Sequence, residues 1–386
     1  MSFRRLSWTL ILPLLLVPAC GGGGGGPTDP STPPPATTYP VNVLVYYDQN
    51  GNGFLDGNEP VRLPGVEVVT ASATARTERG SGRAVIQATA GTQTVAIRTE
   101  SLPPNWVPTA GVTVTVPGAP EVQLPVRLPI GDNEPNVYVA FGDSLTTGVG
   151  SATGAGYRGP LQGQLTSYFG QGFVVDAGRD GSFSTRGAER IPGVMSRERP
   201  AYTLIFYGTN DWNDQRCQSL PPAQCFTIDN LAIIVDYVKR VSSYPVLATL
   251  PPMNPALAPA QRTEWNAQMN VLIKNLAQSQ GAILADLFAA FPTTPGDLPR
   301  YFADDVHPND QGYALIAQAF LKALATSRTG QPGPTAAAGA GPGGLWPLLP
   351  ATATDLRPAT FAPPPSRGAL RTRSGPEASR RSAQPD

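Results

Sequence analysis

Val137-Tyr138-Val139-Ala140-Phe141-Gly142-Asp143-Ser144-Leu145-Thr146-Thr147-Gly148 is the stretch on which the reading of this chain turns. An apolar run, Val137 to Phe141, leads straight into Gly-Asp-Ser. A short run of this kind, bounded by turn residues, reads as a buried strand. Gly142 permits a sharp turn, and Ser144 then stands at the carboxyl edge of the strand, where open α/β sheets bind ligands. Further strand candidates follow at Phe173–Asp176, Thr203–Tyr207, Val246–Leu250 and Ile283–Leu287. Helix candidates alternate with them at Gly159–Phe169, Arg186–Met195, Asn230–Ser243, Ala258–Gln280 and Gln311–Ala325. In the third of these, Leu231, Ile234, Val235, Val238 and Val241 recur at three- and four-residue spacing, so one face is apolar. The alternation predicts a parallel sheet with helices on both faces, spanning residues 136–327.

The predicted strand ends carry the polar residues. Asp176-Ala-Gly178-Arg-Asp-Gly181-Ser-Phe-Ser-Thr185 follows the second strand, and Gly208-Thr209-Asn210-Asp211 follows the third. Asp304-Asp305-Val306-His307-Pro308 precedes the last helix and holds the only histidine of the chain. Acyl transfer needs such a set. A serine hydroxyl needs an imidazole to take its proton, and the imidazole needs a carboxylate to fix its tautomer. The oxyanion needs fixed donors. Ser144, His307 and Asp304 supply the first three. The backbone amides of Ser144 and Gly181 and the side chain of Asn210 supply the donors.

These four blocks resemble those of the SGNH hydrolases, the GDSL-type lipases and esterases, in the family's order and roughly its spacing. The resemblance implies a flavodoxin-like three-layer α/β/α sandwich and an esterase working through an acyl-enzyme without a cofactor. It makes Ser144 the nucleophile, His307 the base and Asp304 its orienting carboxylate. Ser144, Gly181 and Asn210 become the oxyanion hole. Asp176 departs from the asparagine common at its position. Asp305 adjoins Asp304, and only the three-residue offset selects Asp304. No Gly-x-Ser-x-Gly pentapeptide occurs, which disfavours the other common α/β hydrolase elbow.

Residues 41–129 read differently. Val41 to Tyr47, Val66 to Thr70, Val85 to Ala88, Thr94 to Arg98 and Val112 to Val116 alternate with period two between Gly, Pro and Asn turns. A small all-β sandwich is expected. Its first turn, Asp48 to Glu59, places Asp48, Asn50, Asn52, Phe54 (through its carbonyl), Asp56 and Glu59 at calcium-loop positions. The flanks are strands, not helices. The segment resembles the calcium-binding B-type repeats of bacterial surface proteins, which implies a structural calcium. A polar Asn/Gly hairpin that binds nothing is the alternative.

The two ends are read as non-core. Arg4 and Arg5 precede an apolar run from Leu6 to Pro18, too short to span a bilayer, and Val17-Pro18-Ala19-Cys20 follows it. This resembles a lipoprotein signal, which implies cleavage after residue 19 and lipidation of Cys20. An ordinary signal peptide is the alternative. Residues 20–40 form a Gly/Pro-rich tether, and residues 328–386 are rich in Pro, Ala and Arg and read as a disordered tail. The expected location is the cell envelope, lipid-anchored at an outer membrane or cell surface, or secreted. Export fits Cys217 and Cys225, an even pair expected to close a disulfide, with two free thiols as the alternative. With 28 basic and 28 acidic side chains, composition gives no drive toward nucleic acid. The expected partners are an ester substrate, acetylated glycan or lipid, and the membrane holding Cys20. A lipase, lysophospholipase or thioesterase, or a surface adhesion protein with an inert hydrolase-like unit, are the competing functions.

Overall fold

A computed structural model describes residues 36–327. The signal segment, Cys20, most of the tether and the tail from 328 onward lie outside the described residues. Among those described, no helix is long and apolar enough to cross a membrane.

The amino-terminal part is built from β1 (Thr38–Tyr47), β2 (Glu67–Val69), β3 (Thr74–Arg76), β4 (Arg83–Thr89), β5 (Gly91–Ile97), β6 (Val107–Pro108), β7 (Val112–Val116) and β8 (Val122–Arg127). They form two four-stranded sheets, ordered β4-β1-β8-β6 and β3-β2-β5-β7. The period-two pattern is realised in β4, where Ala84, Ile86 and Ala88 are buried while Arg83, Val85 and Gln87 face out. β1 pairs antiparallel with β4 (Val41 opposite Ile86) and parallel with β8 (Val43 opposite Val122). β3, β6 and β8 are additions to the sequence reading. β6 is two residues long and β3 is three, and β8 contains Pro125. Such short or proline-bearing runs give no usable periodicity.

The second part alternates strands and helices: β9 (Glu134–Gly142), α1 (Ser144–Thr147), α2 (Arg158–Phe169), β10 (Phe173–Gly178), α3 (Ser184–Glu198), β11 (Pro200–Phe206), α4 (Gln215–Ser219), α5 (Thr227–Arg240), β12 (Tyr244–Ala248), α6 (Ala260–Gln280), β13 (Ile283–Ala285) and α7 (Asp310–Ala325). The sheet is parallel and ordered β10-β9-β11-β12-β13. Counted within this part the order is 2-1-3-4-5, the flavodoxin-like arrangement whose switch point lies beside its first strand. α2 packs against α7, while α3 packs against α5 and α5 against α6, giving the three layers. β11, at the centre of the sheet, is buried at every residue, as a strand covered on both faces must be. The second part begins before residue 136, where it is expected to start. β9 begins at Glu134 because its N–H bonds the carbonyl of Arg199 at 2.6 Å across the sheet.

The two parts share one hydrophobic core. Tyr138, Tyr202 and Tyr244 stand side by side in register across β9, β11 and β12. Tyr138 stacks on Tyr202 at 5.1 Å, and Tyr47 of β1 meets Trp106 edge-on at 4.8 Å. Burial pushes the hydroxyls of Tyr47, Tyr138 and Tyr202 far above the ordinary tyrosine range. At the end of α2, Phe169 accepts a 2.8 Å bond from the Arg62 N–H. The strand-rich part thus sits under the amino-terminal edge of the parallel sheet, leaving the carboxyl edge free.

Candidate active site

Ser144 owes its position to the turn before it. A Cβ on Gly142 would fall 2.1 Å from Thr146 Oγ1 and 2.4 Å from the Phe206 carbonyl, so only glycine fits. Asp143 caps α1 by accepting the Leu145 N–H at 3.0 Å. Asp143 is fully buried, and burial pushes its carboxyl up to about 7, with neighbouring Asp211 adding to the rise. Ser144 follows on the first turn of α1, 7% exposed.

The triad is assembled. Ser144 Oγ lies 2.9 Å from His307 Nε2, and His307 Nδ1 lies 2.7 Å from Asp304 Oδ2. The other oxygen of Asp304 accepts the backbone N–H groups of Val306 (2.9 Å) and His307 (2.7 Å). Burial works against the Asp304 carboxylate, but these backbone and side-chain bonds outweigh it and hold the group below its usual range. Asp305 points elsewhere, to Arg262 at 3.1 Å, so the aspartate selected by its offset from His307 is the one that meets it.

The candidate oxyanion donors converge on the same edge. Gly181 is exposed with φ +64°, and nothing crowds the place where a Cβ would be. The left-handed backbone, not lack of room, calls for glycine. Asn210 donates to the Ser182 carbonyl at 3.3 Å, bringing the β11 end against the Gly181 turn. Asp211 is buried and accepts the Ser184 N–H (2.9 Å) and the Thr227 hydroxyl (2.7 Å), which ties this block to the start of α3. Burial raises its pKa. Beside Gly181 runs a cleft of about 500 Å³ lined by Arg179, Asp180, Ser182, Arg186 and Arg190 among others. Arg186 and Arg190 were not legible as its lining, because arginines on a helix read as solvated surface.

Elsewhere, Cys217 and Cys225 are joined by a disulfide. The Asp48–Glu59 loop closes on itself. Glu59 accepts the N–H groups of Gln49 (2.8 Å) and Asp56 (3.2 Å), and the amides of Asn50 and Asn52 both donate to Asp56 Oδ2, at 2.7 and 2.8 Å. Asn52 Oδ1 accepts the Phe54 N–H, and Asp48 Oδ2 accepts from Gly53 and Arg127. Asp48 and Glu59 are both buried, and Asp48 Oδ1 has no hydrogen-bond partner. That unmatched buried oxygen fits a cation. Among the described residues, however, no group of three or more His, Cys, Asp or Glu is gathered as a metal-binding cluster.

Residues 140–315 match the GDSL-like Lipase/Acylhydrolase family. A curated relative, thioesterase 1/protease 1/lysophospholipase L1 of Escherichia coli strain K12, is 25% identical over 190 residues, covering 49% of this chain and 83% of the relative. Among solved structures, the lipase/acylhydrolase from Enterococcus faecalis is 20% identical, with TM-score 0.41, covering 48% of this chain and 94% of that one. An acetyl xylan esterase from Geobacillus stearothermophilus is 21% identical, with TM-score 0.43, covering 50% and 97%.

Proposed function

We propose that this chain, whose second part is a GDSL-type hydrolase domain and a serine ester hydrolase, is an exported esterase that removes short acyl groups from a polar alcohol. The observation that carries the mechanism is the unbroken line Ser144 Oγ, His307 Nε2, His307 Nδ1, Asp304 Oδ2, with contacts of 2.9 and 2.7 Å. Ser144 attacks the ester carbonyl while His307 Nε2 takes its proton. The Ser144 and Gly181 amides and the Asn210 side chain hold the oxyanion. The imidazolium, steadied by Asp304, returns the proton to the departing alcohol. His307 then deprotonates water, which attacks the acyl-enzyme and releases the acid.

The cleft beside Gly181 is lined by charged side chains and suits a polar part of the substrate, such as the alcohol of an acetylated glycan. Long acyl and thioester substrates are the competing reading, supported by the similarity to the Escherichia coli thioesterase 1/protease 1/lysophospholipase L1. The test is hydrolysis of p-nitrophenyl acetate, butyrate and octanoate by residues 36–327, beside Ser144→Ala. Rates that fall with chain length and vanish in the variant support the proposal. Rates that rise with chain length defeat the short-acyl part, and a folded fragment without turnover favours the inert surface-protein reading.

Export and anchoring through Cys20 belong to the same proposal. A disulfide between Cys217 and Cys225 suits an oxidising compartment. Metabolic labelling with a fatty-acid analogue tests it, since label retained in Cys20→Ser excludes that anchor. For the Asp48–Glu59 loop the proposal is a structural calcium, supported by the buried, unmatched Asp48 Oδ1. Thermal unfolding with calcium and with chelator decides it: identical midpoints remove the site.

A further inference from the structure

Ser144, Gly181 and Asn210 follow adjacent strands, so the β10-β9-β11 ladder itself sets their spacing. Arg190 reinforces it: Nη2 donates to the carbonyls of Gly142 (3.0 Å) and Ala177, and Nε donates to the Tyr207 hydroxyl at 2.8 Å. The Asp304–His307 segment is not carried by that ladder. It follows no strand directly, since β13 ends at Ala285 and short helical turns and loop intervene before Asp304. Something else must fix the base against the oxyanion donors.

We propose that Arg262, through Asp305 and Thr209, is a positioning residue that locks the His307–Asp304 segment to the Asn210 segment. The proposal rests on the esterase reading of the same site. Arg262 lies on α6 and is 8% exposed. Its Nη1 donates to Asp305 Oδ2 at 3.1 Å, two residues before His307. Its Nη2 donates to the Thr209 carbonyl at 3.2 Å, immediately before Asn210. One rigid guanidinium fork therefore spans the general-base segment and the oxyanion segment, a geometry that the single ammonium of lysine reproduces only in part. Asn254 backs the same loop, with its N–H on the Asp305 carbonyl at 3.0 Å and its amide on the Asp304 carbonyl at 3.2 Å. Arg262 contacts neither Ser144 nor His307 in any hydrogen bond, so its effect is on placement.

A purely structural role is a poor account of this side chain. Its Nε is buried without a hydrogen-bond partner, and burial lowers its pKa despite Asp305. An incompletely satisfied buried cation adds little net stability, and an apolar residue of similar length is often tolerated in its place. Placement, by contrast, is costly to lose: a displacement of about 1 Å far from the reacting atoms can cost about 100-fold in rate.

The full-length chain and its Arg262→Met, Arg262→Lys and Asp305→Asn variants decide the matter. Three readouts are taken: kcat and KM for p-nitrophenyl acetate, the thermal midpoint, and the low-field proton resonance of the His307 Nδ1–H. That resonance needs no assignment, because the chain has one histidine. Expected for Arg262→Met is a kcat lower by about 10- to 100-fold, a KM within about twofold and a broadened or shifted resonance. Arg262→Lys recovers part of the loss, and Asp305→Asn shows a smaller change of the same kind. The proposal is overturned if folded Arg262→Met keeps wild-type kcat and resonance, or if lysine recovers nothing. If Arg262→Met does not fold, Asp305→Asn, altered at a half-exposed position, decides: wild-type kcat and resonance in it overturn the lock. Absence of turnover in the wild-type chain defeats the esterase reading instead, and the resonance comparison then decides the lock alone.

Discussion

Replacing Asp304 by asparagine sets two demands of the structure against each other. The carboxylate serves three donors: Oδ1 accepts the N–H groups of Val306 and His307, and Oδ2 accepts His307 Nδ1–H. An asparagine has one acceptor oxygen for these two tasks. With its oxygen toward the backbone, its NH₂ faces Nδ1, which must then be unprotonated. The proton moves to Nε2, where it points at Ser144 Oγ and blocks proton transfer. With its oxygen toward Nδ1, the correct tautomer survives but both backbone bonds are lost, at a cost of about 2 kcal/mol. That difference leaves about 3% of molecules in the productive arrangement. Loss of the carboxylate's support for the imidazolium adds about tenfold more. The expected kcat for p-nitrophenyl acetate is therefore lower by about 10²–10³, less than the ~10⁴ known for this substitution in a buried serine-protease triad, since Asp304 is half-exposed. Steady-state kinetics at saturating substrate reads it, with circular dichroism to show the fold intact. A loss under about tenfold would refute the tautomer argument.

Asn210→Ala should lower turnover by about 10²–10³ with little change in KM; unchanged turnover takes Asn210 out of the oxyanion hole. Asp143→Asn should flatten the pH dependence of stability. The Asp143 carboxyl is raised to about 7 by burial, against about 3.9 in an unfolded chain. Its stabilising contribution is therefore complete below about pH 4 and lost as pH rises through about 7, on the order of 4 kcal/mol in full. Urea unfolding at both ends of that window measures the slope, and an equal slope in the variant contradicts the burial argument. Cys217→Ser opens a loop with a sequence separation of 8 and should cost about 2–3 kcal/mol; an unchanged unfolding midpoint under oxidising conditions would show that the crosslink adds nothing.

What could be read in advance divides along physical lines. Val137–Phe141 and the other core strands were legible because a strand covered on both faces must be continuously apolar. Asp304 and His307 were legible because a three-residue offset constrains geometry locally: both donors to Asp304 Oδ1 come from the next three residues. Contacts made across the sequence leave no such trace. The start of β9 at Glu134 is set by Arg199, far along the chain. Pro125 hides β8, because a strand interior with proline argues against itself. Arg262 and Arg190 lie on helices, where arginine usually marks the solvated face. Only folding reveals that each spans catalytic segments.

The shared tyrosine core beneath the sheet bears on how such a protein can be altered. Tyr138 and Tyr202 lie on strands whose carboxyl ends deliver Ser144 and Asn210. The grip of the amino-terminal part is therefore at one pole and the chemistry at the other. Loops at the catalytic rim are free to lengthen or change charge without loosening the foundation. The foundation itself is not an interchangeable accessory: a graft that replaced it would uncover Tyr138, Tyr202 and Phe169 unless the newcomer brought its own counterparts of Tyr47 and Trp106. Diversification of specificity and exchange of the pedestal are thus separate problems, the first local and cheap, the second requiring a core redesigned from both sides.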